Sequence, residues 1–126
     1  MSGISVLKMK RFTETEKWNN REFRIMSPET KLFWSWLNDH CDHAGIISPD
    51  FELASLQIGK PVDEKHIIEL GDRLKLISPG TYLINGYIAF QWGNIKMTAQ
   101  GKGMTNIQAK IIDSLHAHKL TYDNLT

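Results

Sequence analysis

The chain has 126 residues, 41% of them hydrophobic and 23% charged, with a formal net charge of +1. Such a composition excludes a disordered polymer and predicts one globular domain with short arms. There is no signal-peptide run and no apolar stretch of the roughly 18 residues that a membrane span needs, so a cytoplasmic protein with no membrane partner is expected.

The lone Cys41 cannot form an internal disulfide, which fits a reducing compartment. Charge is unevenly spread: net +3 over residues 1–24, −4 over 25–93 and +2 over 94–126. An acidic centre between basic ends argues against a self-sufficient duplex binder, because phosphate binding is driven by Lys and Arg. Basic arms can still supply backbone contacts.

In chain order, residues 1–26 read as a basic N-terminal arm with one helical turn around Asn20 to Arg24, and with Trp18, Phe23, Ile25 and Met26 packing beside the first core helix. Ser27-Pro28-Glu29 is the start of that helix, the serine accepting from free amides and the proline filling a position that needs no donor. The first helix runs through Leu32, Phe33, Trp36 and Leu37 and stops at Asp42-His43-Ala44-Gly45, where Gly45 is expected at positive φ. Ile46-Ile47 reads as a very short strand. Pro49-Asp50 opens a second helix, Phe51 to Ile58, closed by Gly59.

Pro61-Val62-Asp63 opens a third helix with Ile67, Ile68, Leu70 and Leu74 as its apolar positions. Leu76-Ile77, the turn Ser78-Pro79-Gly80 and Thr81 to Ile84 read as a hairpin. A short helix is expected near Tyr87 to Trp92, a linker over 94–104, and a C-terminal helix and tail over 105–126, with Thr105 as cap and Ile107, Ile111 and Leu115 as its stripe. That helix is too short to stand alone, so it must pack on the core, a second copy or another domain.

Helix, strand, helix, turn, helix, hairpin over 27–93 is the order of a winged helix-turn-helix: mainly α with a small β-hairpin. The expected core comprises Leu32, Phe33, Trp36, Leu37, Ile46, Leu53, Leu56, Ile67, Ile68, Leu70, Leu74, Ile77 and Leu83.

Catalytic patterns are missing. His40, Cys41 and His43 cluster at a helix end, but no second Cys/His pair lies at zinc spacing, and histidines suit the negative end of a helix dipole. Gly101-Lys102-Gly103 lacks the rest of a phosphate loop, and no Gly-x-Ser-x-Gly elbow occurs. A protein without enzymatic activity or cofactor is expected.

The residues that suit DNA are Lys60, Lys65, His66, Arg73 and Lys75 in and around the third helix, Thr81 and Tyr82 in the wing, and Lys8, Lys10 and Arg11 in the arm. Lys65 and Arg73 are expected on the exposed side of the third helix. Asp63, Glu64, Glu69 and Asp72 offset the four Lys and Arg charges between 60 and 75.

Arg11-Phe12-Thr13-Glu14-Thr15-Glu16-Lys17-Trp18, Phe23-Arg24, Ser27-Pro28 with Lys31-Leu32, Cys41-Asp42-His43-Ala44-Gly45-Ile46, Asp50-Phe51-Glu52-Leu53-Ala54, Gln57-Ile58-Gly59 and Phe90-Gln91-Trp92-Gly93 together resemble phage and prophage replication-initiation proteins. These are replisome organisers with a DnaD-like N-terminal winged helix. The resemblance spans roughly residues 11 to 93 and is strongest at the Asp-x-Ala-Gly-Ile turn. It implies binding of double-stranded origin DNA, self-association, and recruitment of replication proteins such as a helicase or its loader. The competing reading is a winged-helix interaction module that docks a partner or itself and has little DNA binding of its own.

Overall fold

The computed structural model describes residues 10–93 and 106–121; Lys8, the 94–104 linker and Thr105 lie outside them. Within the described residues the chain is mainly helical, with one small antiparallel sheet.

A 3-10 turn at Thr15–Asn19 leads into α1, Arg21–Arg24, whose start is capped by the Asn20 side chain accepting from the Phe23 amide. In α2, Pro28–His40, the Ser27 hydroxyl accepts from the Thr30 amide and Pro28 occupies the first turn. α2 ends at a tight turn. The Asp42 carboxylate accepts from the Ala44 and Ile46 amides at 2.9 and 3.0 Å, and Gly45 takes φ 87°, the left-handed value expected of it.

β1, Ile46–Ile47, follows at once. α3, Phe51–Ile58, is capped by Asp50 and closed by Gly59, and α4, Glu64–Leu70, is capped by Asp63. β2, Leu74–Ser78, and β3, Thr81–Ile84, turn at Pro79-Gly80, with an irregular register between Leu76 and Ser78. β1 pairs with β3, so the sheet order is β1-β3-β2. α5, Tyr87–Trp92, and α6, Asn106–Ala117, complete the described elements.

Two apolar clusters hold these pieces. Phe33, Trp36 and Leu37 of α2 meet Phe23, Met26, Ala54, Leu70, Leu74 and Tyr87 in the first. In the second, Ile111 and Leu115 of α6 pack with Ala44, Ile46, Leu83 and Ile88, and the Ser114 hydroxyl donates to Asp42. Of the three choices open to the C-terminal helix, the core of its own chain takes its apolar stripe. Of the residues expected to pack beside the first core helix, Phe23 and Met26 are buried in the core, whereas Trp18 and Ile25 are exposed.

Four expected core residues are corrected: Leu32, Leu53, Leu56 and Ile68 are exposed. Helical geometry gives the reason, because each residue turns by about 100°. His66 and Leu70, one turn apart, claim the inner side of α4, so Ile68 midway between them points outward. On α2 the inner side goes to Phe33, Trp36 and Leu37, one step away from Leu32. Small Ala54 is the buried residue of α3. Leu74 is buried as expected but in β2 rather than in a helix, because Gly71 at φ 58° breaks the chain out of α4.

Trp36 ties α2 to α3. Its indole donates to the Gln57 side chain at 2.7 Å, and its ring stacks on Phe33 and His40. Trp36→Ala is expected to cost about 3–5 kcal/mol in denaturant unfolding. A loss below about 1 kcal/mol, the scale of a surface change, would remove the ring from the core.

Candidate nucleic-acid interface

The third helix of the expected recognition motif, α4, is built from its cap outward. The Asp63 carboxylate accepts from the Lys65 amide, and the Asp63 amide donates to His66 Nδ1 at 2.9 Å. This reciprocal pair satisfies amides that a helix start leaves free. It also buries the imidazole and folds it back on the cap, so His66, expected among the residues open to DNA, does not face solvent.

Glu69 leaves α4 towards the start of α2. Its carboxylate accepts from the Ser27 amide at 2.8 Å, from the Ser27 hydroxyl and from the Thr30 hydroxyl. Partial desolvation pushes its pKa up, but the hydrogen bonds from Thr30 and Ser27, with His66 nearby, outweigh that and hold it below the usual carboxylate value. A lowered folded-state pKa stabilises the fold above the unfolded value of about 4.3, and that contribution is lost as pH falls through the folded value. Glu69→Gln should therefore be less stable than the parent at pH 7, with the gap closing in acid. Parallel denaturation curves at both pH values, showing a gap that persists in acid, would contradict this role.

The two acids so used, Asp63 and Glu69, face amides at helix starts rather than the lysines beside them. Lys60, Lys65 and Lys75 are exposed, and none of them forms an ion pair among the described residues. Lys10 is exposed as well.

The other expected contacts are placed elsewhere. Arg73 does not lie on α4. It falls in the following 3-10 turn, with its guanidinium 5.5 Å from the centre of the Phe23 ring and 6.0 Å from that of Trp34, and it donates to the Asn20 side chain. Arg11 is not a free arm residue. It donates to the Asn38 and Cys41 carbonyls at 2.7 and 2.8 Å and lies over the Tyr87 ring. Phe12 beside it is clamped to Gln91, whose side chain accepts from the Phe12 amide and donates to its carbonyl. Thr81 is buried, its hydroxyl 2.6 Å from that of Ser48, and Tyr82 is half-buried against the first cluster. For Arg11, Arg73 and Thr81 a partner elsewhere in the chain holds the polar end: backbone carbonyls for Arg11, the Asn20 side chain for Arg73 and the Ser48 hydroxyl for Thr81.

Comparison with known proteins adds no family. No family model matches the chain, and no curated protein or solved structure matches it.

The His40, Cys41, His43 group does not converge. His40 stacks on Trp36 at 4.1 Å and donates to its carbonyl, whereas His43 stacks on Trp92. Cys41 lies buried under Arg11. Burial pushes its thiol pKa up, which keeps it protonated at neutral pH. For His43, burial followed by the charges of Lys110 and Arg11 lowers the pKa.

Sequence reasoning passed over Lys17 and Trp34. Lys17 is buried although its sequence neighbours are polar, and Trp34 holds Arg73 from below. No periodicity marks Lys17, because a 3-10 turn of five residues is too short to show one, and Trp34 stands on α2 off the buried row of Phe33, Trp36 and Leu37.

Proposed function

We propose that this chain is a non-enzymatic, winged-helix DNA-binding protein of the phage replication-initiation kind, contacting duplex DNA through α4, the β2–β3 hairpin and Lys10. The observation that carries the reading is the sheet order β1-β3-β2 beside α2, α3 and α4, with Lys60, Lys65 and Lys75 turned to solvent and their neighbouring acids Asp63 and Glu69 engaged at helix starts. A helix fits the major groove, and lysines on and beside it meet phosphates. With few cations available, binding should be weak and sensitive to salt.

The test is anisotropy of a labelled duplex titrated with the intact protein across a salt series. Binding that fades steeply with salt supports the reading. An absence of duplex binding at low salt refutes it.

A second reading rests on Leu56 and Ile68, which are 75% and 78% exposed. Large apolar side chains held in water suit a protein partner or a second copy. Oligomerisation without duplex binding, measured by light scattering, would favour that module.

A further inference from the structure

A cavity of about 420 Å³ opens between the N-terminal segment, α2 and the start of α5. None of its lining residues belongs to α4 or to the turn of the hairpin, so it is a separate surface from Lys60, Lys65 and Lys75. Its volume falls in the range of sites that hold a small molecule or one unit of a polymer.

Its walls combine cations with flat rings. Arg11, Lys17 and Arg73 supply three positive charges, against the carboxylates of Glu14 and Asp39. None of the three cations pairs with a carboxylate among the described residues. Lys17 is the telling one. It is only 7% exposed, its ammonium donates to the Glu14 carbonyl at 3.2 Å, and it lies 5.6 Å from the centre of the Trp18 ring. An ammonium has three donors, and a buried charge is costly unless an opposite charge answers it. The two guanidinium groups are already held in place, Arg11 by backbone carbonyls and Arg73 by Asn20 and two rings. Trp34, Phe12 and Phe90 supply aromatic wall, the last two with rings open to solvent.

We propose that this cavity holds one unpaired nucleotide, its base against Phe12, Trp34 and Phe90 and its phosphate at Lys17 and Arg73. Three cations and two carboxylates leave one positive charge, which matches one phosphodiester. Glu14 and Asp39 accept from exocyclic amino groups, so adenine or cytosine suits the cavity better than thymine. Base stacking on aromatic side chains supplies the rest of the affinity. A paired base cannot enter, because its Watson–Crick edge and both its faces are already occupied in the duplex. The inference stands apart from the duplex reading, and either can fail alone.

The test uses the full chain with fluorescein-labelled single-stranded oligodeoxyadenylate, with oligodeoxythymidylate and polyglutamate as comparisons and free AMP as competitor. Lys17→Gln and Phe90→Ala should each weaken oligodeoxyadenylate binding by about tenfold, with duplex affinity unchanged. A Lys60, Lys65 and Lys75 triple alanine variant should do the reverse. Phe90 lies at the rim, so its variant reads stacking without disturbing buried Lys17, and equal thermal midpoints confirm folding. AMP that competes only at millimolar concentration assigns the site to a strand, and tighter competition assigns the same chemistry to the free nucleotide. If oligodeoxyadenylate and AMP both fail to bind, if both variants bind as the parent does, or if polyglutamate binds equally well, the proposal is overturned.

Discussion

Gly45→Ala is expected to destabilise the fold by about 2–5 kcal/mol, the sum of a left-handed backbone penalty and an overpacking penalty. Gly45 sits at φ 87°, and a Cβ there would lie 2.5 Å from Cβ of Tyr87 and 2.7 Å from its Cγ. Neither can step aside, because these atoms root a buried ring on α5. The Gly45 carbonyl also accepts from the Ile84 amide at 2.8 Å, so any shift would be passed to the end of β3. Gly59 is the internal control. It has nearly the same φ, 89°, yet nothing lies within 4 Å of an added Cβ. Gly59→Ala should lose only the backbone part, about 1–2 kcal/mol. Urea unfolding of both variants separates the two contributions, and equal losses would mean that Tyr87 does not confine the turn.

The triple replacement of Lys60, Lys65 and Lys75 by alanine is expected to remove most duplex affinity without loss of stability. All three are exposed and unpaired among the described residues, so their removal opens no cavity and leaves no buried carboxylate without a partner. If each neutralises one phosphate, together they account for a slope of about −2.7 in a plot of log affinity against log salt. Each single alanine variant should make the slope shallower by about 1. Arg73→Ala should behave differently. It should reduce stability through lost contact with Phe23 and Trp34 while leaving the salt slope of duplex binding unchanged. An Arg73 variant that flattens the slope as the lysines do would place that guanidinium on the duplex and sink the division of roles between it and the three lysines.

Much of the fold was legible because its boundaries are written in residues that act locally. Ser27, Asp50 and Asp63 cap the helices they precede, Gly59 takes the left-handed turn that closes α3, and Gly45 takes the left-handed turn that leads into β1. Pro79-Gly80 turns the hairpin where expected. Each of these depends on a side chain and the three or four amides beside it, so no distant contact is needed to predict it.

The candidate site was less legible. Lys65 faces solvent as expected, and Lys60 and Lys75 do so too, but Arg11, His66, Arg73 and Thr81 were drawn inward by partners that local pattern does not reveal. Arg11 is held by carbonyls some 30 residues away, and Glu69 reaches Ser27 across 42.

The sequence by itself determined the order of the helices and strands, the starts of α2, α3 and α4, the mainly helical class and the uneven charge, because these follow from caps, turns and composition. Only the tertiary structure decided which side of each short helix is buried, where α6 docks, and which cations remain free. A helix of seven or eight residues makes barely two turns, too few for its apolar pattern to choose a face unaided. The choice was made by the neighbours instead: Leu70 and His66 inward against α2, Ile68 outward, and Lys17 drawn into the wall of a cavity that residues distant in sequence assemble.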